Sequence, residues 1–130
     1  MENFEVPVSP GEVLDKITIL EIKSERITDP DRLANVRTEL ALLRKTWAER
    51  IEEDDTVRAL HDQLKEINET LWDIEDDIRD RERAKEFDER FIELARSVYF
   101  TNDRRSEVKK KLNLHLGSQI IEEKSYQDYS

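Results

Sequence analysis

Apolar residues recur at every third or fourth position along most of this chain, which is the spacing of one face of an α-helix. Proline, glycine and acidic residues interrupt the pattern where helices are expected to begin or end. The pattern predicts four helices, over residues 10–26, 30–51, 56–84 and 89–116. We therefore expect an all-α fold in which four helices form an antiparallel hairpin bundle within a single domain.

The segments outside the helices predict an extended strap and a short tail. Residues 1–9 contain alternating apolar residues and Pro7, a pattern that disfavours a helix, and we expect this strap to dock on the bundle. Gly117 ends the fourth helix, so that residues 118–130 form a C-terminal tail. The predicted domain spans residues 1–130.

The start signals of the helices differ in strength. Ser9, Pro10 and Glu12 form a capping box at the start of the first helix. The boundary between the third and fourth helices is less marked because no glycine or proline lies near it. We predict a turn near residues 86–88 with Asp88 as the N-cap, and the alternative is one continuous long helix.

The second and third helices carry apolar residues in a heptad pattern, which is typical of coiled coils. Only 36% of the residues are hydrophobic, so the core of a single chain would be thin. We therefore expect a homo-oligomer, either a dimer or a larger assembly.

The composition excludes several classes of function. The net charge of −10 argues against a nucleic-acid partner, because such binding depends on neutralising phosphates. The chain has no cysteine and only two histidines, which argues against a zinc site. Because there is neither a signal peptide nor a long apolar stretch, we expect a soluble cytoplasmic protein without a membrane partner.

The apolar stripe of the fourth helix turns polar halfway along. Its apolar half includes Leu94 and Val98, and the same face continues as Asn102, Arg105 and Lys109. Burying a guanidinium or an ammonium group without a partner is costly. These three side chains must therefore meet carboxylates, a negatively charged ligand, or water.

Pairing the third and fourth helices as a hairpin places further polar residues opposite this stripe. Asn68 would face Asn102, His61 would lie near Lys109, and Tyr99 would face Trp72. Glu21 on the first helix is expected to meet Arg105 or Lys109. The predicted ligand-binding residues are Glu21, Asn68, Trp72, Glu75, Tyr99, Asn102, Arg105 and Lys109. The alternative is an internal ion-pair network, which is compatible with a ligand site.

Four aspartates share the opposite side of the third helix, namely Asp73, Asp76, Asp77 and Asp80. Carboxylates three and four positions apart can converge on a hard cation such as Mg²⁺. The alternative is an acidic face in water. Magnesium is the only cofactor that the sequence suggests.

Distinctive motifs occur in the segments VSPGEVLDKITILEIK (residues 8–23), LWDIEDDIR (71–79), LARSVY (94–99), TNDRR (101–105) and EEKSY (122–126). In these segments the chain resembles a functionally uncharacterised family of small all-helical bacterial and phage proteins. The resemblance covers nearly the whole chain. It implies a compact standalone domain and does not imply a reaction.

Three functions follow as hypotheses, and no specific catalytic motif decides whether the chain is an enzyme. The first is a small binding protein whose inter-helix site holds an anionic, phosphate-bearing ligand such as a nucleotide. The second is a magnesium-dependent enzyme similar to the all-helical nucleotide pyrophosphohydrolases. The third is a homo-oligomeric scaffold or regulator that binds a protein partner and no small molecule.

Overall fold

The structure is a computed structural model that describes residues 1–129. Its four helices are α1 (Pro10–Arg26), α2 (Pro30–Arg50), α3 (Asp55–Ala84) and α4 (Glu89–His115). No β-strand is found in residues 1–129. The predicted all-α fold of four helices is confirmed, and each helix end lies within one residue of its predicted position.

Each helix begins at a residue whose side chain accepts a hydrogen bond from the backbone N–H three positions later. These N-caps are Ser9, Asp29, Asp54 and Asp88. Such caps satisfy one of the N–H groups that a helix leaves free in its first turn. The capping box of α1 is only half formed, because the Glu12 side chain contacts Lys109 and not the N-cap.

The predicted turn between α3 and α4 is present, and the continuous-helix alternative is wrong. Lys85 adopts the left-handed conformation with φ 57°, which ends α3. The N–H of Glu86 then donates to the carbonyl of Arg81 at 3.0 Å, the closing hydrogen bond of a Schellman motif. A lysine therefore supplies here the backbone geometry that glycine usually supplies, which is why the sequence marks this turn weakly.

Helix α1 lies at the centre of the fold, since it is the one described helix that packs against all three others. α3 and α4 form the hairpin, and α2 packs on α1. Leu14, Ile17, Leu20 and Ile22 of α1 are all buried. Almost any side chain in the middle of α1 therefore points at another helix, including its polar ones.

The expectation that the N-terminal strap docks on the bundle is wrong. Phe4 and Val6 are 83% and 68% exposed. Three helices already pack against α1, and the strap does not add a fourth layer to it. The expected homo-oligomer stays a prediction.

No helix in residues 1–129 combines the length and the apolar character needed to cross a membrane.

The first turn of α1 crosses α4 at very short range. The N–H of Gly11 donates to Asn113 Oδ1 at 2.7 Å. A Cβ atom at Gly11 would lie 2.7 Å from the carbonyl oxygen of Lys109 and 2.9 Å from Asn113 Oδ1. The close contact with backbone means that only glycine fits at this crossing.

We expect Gly11→Ala to lower the free energy of unfolding by about 2 kcal/mol, because the added methyl group overpacks the crossing of α1 and α4. Urea denaturation monitored by circular dichroism measures this change. Asp31→Ala is the matched control, since Asp31 occupies the same second helical position of α2 and is exposed. Equal losses in the two variants would contradict the close approach.

Candidate functional site

A buried ion pair joins the centre of α1 to α4. The carboxylate of Asp15 is almost wholly buried, with 1% of the residue exposed. Arg105 donates from Nε to Asp15 Oδ1 at 2.9 Å and from Nη2 to Asp15 Oδ2. This two-point contact fixes the plane of the guanidinium group, because both donors must align with both oxygens. The pKa of Arg105 is raised by the hydrogen bond to Asp15.

The same carboxylate is tied to α3. Asn68 donates from Nδ2 to Asp15 Oδ1 and to Thr18 Oγ1, each at 2.9 Å. Thr18 in turn donates to the backbone carbonyl of Asp15 at 2.8 Å. No buried side-chain polar atom in residues 1–129 lacks a hydrogen-bond partner. A buried charge is tolerated when it is satisfied in this way.

Lys109 extends the pair into a network. Its ammonium group lies 2.8 Å from Glu12 Oε2, 2.9 Å from Glu122 Oε2 and 3.9 Å from Asp15 Oδ2. Only 11% of its side chain is exposed. Burial alone would lower the pKa of Lys109, but the hydrogen bonds to Glu12 and Glu122 outweigh burial and raise it. The lysine therefore keeps its positive charge inside the protein.

The C-terminal tail runs back along α4 and covers this network. Glu122 contacts Lys109, and Lys124 contacts Asp103 at 2.5 Å. Further along, the Tyr129 hydroxyl donates to Asp103, which raises the pKa of Tyr129 to about 12. The tail residues Glu122, Lys124 and Tyr129 are exposed, and ion pairs with an exposed partner contribute little stability. The tail is therefore held weakly compared with the helices.

A cavity of about 590 Å³ lies between α4, the start of α1 and the tail. Volumes of this order are typical of small-molecule sites. Cationic side chains line it on several sides, and carboxylates of Glu12 and the tail interrupt them. The cations are Arg105, Lys109, Lys110 and Lys124.

A groove of about 500 Å³ lies on the other side of Arg105, between α1, α3 and α4. Its floor is apolar and includes Ile22 and Leu71, with Trp72 as an aromatic wall. The guanidinium carbon of Arg26 lies 5.7 Å from the centre of the Trp72 ring. Arg105 and Asn102 line both this groove and the cavity under the tail.

The model of a family of unknown function (DUF6165) matches residues 4–129. The chain belongs to the DUF6165 family. The resemblance to an uncharacterised family is therefore confirmed. No curated protein and no solved structure matches the chain.

In this DUF6165 protein, six of the eight predicted ligand-binding residues lie around the two spaces. Asn68, Arg105 and Lys109 belong to the network around Asp15. The others line the cavity or the groove, and Glu75 also pairs with Arg79 at 3.3 Å. These six are Asn68, Trp72, Glu75, Asn102, Arg105 and Lys109.

The prediction that Glu21 meets Arg105 or Lys109 is wrong. Glu21 accepts from Arg44 at 2.9 Å and contacts His61 at 2.7 Å, which links α1 to α2 and α3. Six residues along a helix turn the side chain by about 120°, so Glu21 faces away from the α4 side that Asp15 faces. For the same reason, His61 pairs with Glu21 and not with Lys109.

Tyr99 does not face Trp72. Its ring packs against Phe100 and Tyr129, at centroid distances of 5.0 and 5.1 Å. Tyr99 lies on the exposed side of α4, where the tail covers it in part, whereas Trp72 faces α1 and its Arg26. The register of the hairpin predicted that Tyr99 and Trp72 lie at the same height along α3 and α4. It did not determine the direction in which each ring points.

The aspartates of α3 lie exposed in this DUF6165 protein and do not converge. Asp73 pairs with Arg26 at 2.6 Å, Asp80 with Arg83 at 2.8 Å, and Asp77 lies 3.9 Å from Arg90. In residues 1–129, no group of three or more acidic or histidine side chains is arranged to hold a metal ion. Arginine pairing on a solvated face accounts for Asp73, Asp77 and Asp80, and Asp76 lies exposed on the same face.

Sequence reasoning missed Asp15, Asn113 and Glu122. Asp15 was absent from the predicted site, because its position between Ile19 and Ile22 on α1 indicated an ordinary carboxylate at the rim of the bundle. Asn113 follows Lys109 by four positions and so continues the polar stripe of α4. Glu122 lies in the distinctive EEKSY motif, but the tail has no periodic pattern that would place it against Lys109.

We expect Asp15→Asn to lower the free energy of unfolding by about 3 kcal/mol, because it leaves Arg105 half-buried without its counter-charge. Asp73→Asn is the matched control: it breaks an exposed pair with Arg26 and should cost less than about 1 kcal/mol. Urea denaturation of both variants measures the difference. Similar losses would mean that the Asp15 pair is not the main link between α1 and α4.

The Glu21–His61 contact predicts a dependence of stability on pH. The hydrogen bond to Glu21 raises the pKa of His61 above its ordinary 6.5, against the opposing effect of burial. Burial would raise the pKa of Glu21, but the hydrogen bonds and charges of His61 and Arg44 together lower it below 4.5, so Glu21 stays ionised near neutrality. A raised histidine pKa stabilises the folded state fully below the unfolded pKa, and this contribution is lost as pH rises through the folded pKa.

We therefore expect the wild type to exceed His61→Gln in free energy of unfolding by more at about pH 6 than at about pH 8.5. Urea titrations at the two pH values measure the difference. His115→Gln is the control, because His115 pairs with Asp54 at the surface and should contribute little. A pH-independent effect of His61→Gln would rule out a charged His61 in the folded state.

Proposed function

We propose that the cavity between α1, α4 and the tail binds a small phosphate-bearing anion. The observation that carries this proposal is the state of Arg105, which lines the cavity while a buried carboxylate holds it in place. Only Nε and Nη2 of its guanidinium group are used by Asp15. Nη1 donates to no described residue and is available to an incoming anion.

The internal network and the ligand site are parts of one arrangement in this proposal. Asp15 orients Arg105, much as an outer carboxylate orients a metal-binding histidine, and the arginine needs no further movement to bind. Guanidinium groups held in a fixed plane recognise phosphate oxygens with good geometry. A purely internal network would account for the ion pairs of Lys109 and Lys124, and the proposal adds that Nη1 of Arg105 has no partner among the described residues and faces an open cavity.

The charges of the tail explain how an anion would enter. Glu122 is 62% exposed at its side chain and shares the Lys109 ammonium group with Glu12. A ligand phosphate would replace the Glu122 carboxylate on Lys109, while Glu12 and Asp15 stay in place. The carboxylate of the tail thus occupies the position that we assign to the ligand.

Turnover of the ligand is not part of the proposal. The aspartates of α3 line neither the tail cavity nor, except for Asp76, the Trp72 groove. No observation in residues 1–129 therefore favours the magnesium-dependent pyrophosphohydrolase over a binding protein.

Titration calorimetry with pyrophosphate at low salt tests the proposal. We expect Lys109→Gln to weaken binding about tenfold, because it removes a charge-assisted hydrogen bond to the anion. Glu122→Gln should strengthen binding by about threefold or more, since the tail no longer competes for Lys109. Arg105 is avoided as a test residue, because its loss would leave Asp15 buried without a counter-charge.

Lys111→Gln is the matched control, because Lys111 is an exposed lysine of α4 that does not line the cavity. It should bind pyrophosphate as the wild type does. If Lys109→Gln and Lys111→Gln weaken binding equally, the effect is one of net charge and the cavity is not the site. Absence of any binding to wild type would refute the proposed function.

A further inference from the structure

The groove beside Trp72 and the cavity under the tail share two residues, Arg105 and Asn102. One space is lined by cations and the other has an apolar floor and an aromatic wall. A ligand that reaches past Arg105 would therefore enter surroundings of opposite chemical character. The two spaces together favour a molecule with an anionic end and a flat, weakly polar end.

Two amide groups at this junction have hydrogen-bonding capacity that the described residues do not use. Asn68 donates from Nδ2 to Asp15 and Thr18, and its Oδ1 accepts no hydrogen bond from the described residues. Asn102 is half-buried, and its side chain makes no hydrogen bond in residues 1–129. Because no buried side-chain polar atom in residues 1–129 lacks a partner, the unused amide atoms are open to water and therefore to a ligand that would replace it. An amide can both donate to and accept from the edge of a heterocyclic ring.

Trp72 supplies the face on which such a ring would stack. It lines the groove together with Ile19, Ile22 and Leu71, and Arg26 lies over the indole ring. Flat heteroaromatic rings stack on indole regardless of their exact substituents. The rim residues Glu75 and Asp76 are acidic, which disfavours a second phosphate in this groove. The anionic and aromatic ends of the ligand are thereby assigned to different spaces.

We infer that the ligand is a nucleotide-like compound, whose heteroaromatic ring stacks on Trp72 beside Asn68 and Asn102 while its phosphate group contacts Arg105 and Lys109. This inference rests on the proposed function and adds the chemical class of the ligand. Asn102, Arg105 and Lys109, which lie along one side of α4, would then contact the ligand in order from its ring to its phosphate group.

Calorimetry with four probes tests the inference: pyrophosphate, ribose 5-phosphate, adenosine and AMP, with GMP, CMP and UMP as further ring types. In the wild type, at least one nucleoside monophosphate should bind about tenfold more tightly than ribose 5-phosphate, because the ring stacks on Trp72. Trp72→Ala should remove this difference and leave the affinity for ribose 5-phosphate unchanged. Trp72→Phe should restore part of it, since phenylalanine can also stack.

Asn102→Ala separates binding from folding. Because the Asn102 side chain makes no hydrogen bond in residues 1–129, its removal should leave the melting temperature unchanged while weakening nucleotide binding about fivefold. Tryptophan fluorescence supplies a second readout. Nucleotide binding should quench Trp72, and the quenching should vanish in Trp72→Phe, where only the buried Trp47 remains.

The outcomes distinguish this inference from the function on which it rests. If ribose 5-phosphate binds as tightly as every nucleotide, or if Trp72→Ala weakens both equally, the aromatic class is wrong and phosphate binding stands. If adenosine binds as tightly as AMP, the Trp72 groove binds the ring, and the proposed contact of the phosphate group with Arg105 and Lys109 is wrong. If no probe binds the wild type, both fail.

Discussion

The buried carboxylate of Asp15 determines how α1, α3 and α4 meet. A charge in the middle of a covered helix has to be compensated, and removing one partner of such a pair costs more than most single contacts contribute. Here Arg105 and Asn68 supply the compensation from two different helices. The rotation and height of α4 on α1 therefore depend on the geometry of the Asp15 carboxylate. The same geometry determines where the residues that follow Arg105 along α4 lie.

Helix α4 contacts α1 more strongly than it contacts the tail. The crossing of α1 and α4 is therefore the rigid part of the molecule, and the tail is the part able to move. At the rigid end, Gly11 and Asn113 hold the first turn of α1 against α4 at a distance that admits no side chain. At the other end, the exposed residues Glu122 and Lys124 hold the tail through ion pairs to Lys109 and Asp103, which contribute little stability. The cavity between them is formed by helices on one side and by the tail on the other. This division is what a binding site needs if ligand entry is to leave the core undisturbed.

Local features of the sequence predicted the helices, because periodicity and N-caps depend on neighbouring residues. The polar half of the α4 stripe was also predictable, since the phase of Asn102, Arg105 and Lys109 on one helix is a local property. The residues that these side chains contact could not be predicted in the same way. Arg105 meets a residue 90 positions away, and which carboxylate of α1 it meets depends on how the helices cross. Asp15 and Glu21 lie about 120° apart around α1, so the choice between them depends on which face of α1 packs against α4, and the sequence of α1 does not determine that because several of its faces are apolar.

Arg105 is occupied by Asp15 and yet borders two open spaces, and this combination determines how a ligand would gain affinity. An arginine that had to leave its buried partner to bind an anion would expose Asp15 to a large desolvation penalty, which no surface contact would offset. The free Nη1, the Asn68 amide oxygen and the Asn102 amide avoid this cost, because none of them has a protein partner to give up. Binding would then replace water on groups already held in position, which is the main advantage of a preorganised site. The one protein contact that an anion must break is that of Glu122 with Lys109, and it lies on the tail, which is held more weakly than the helices.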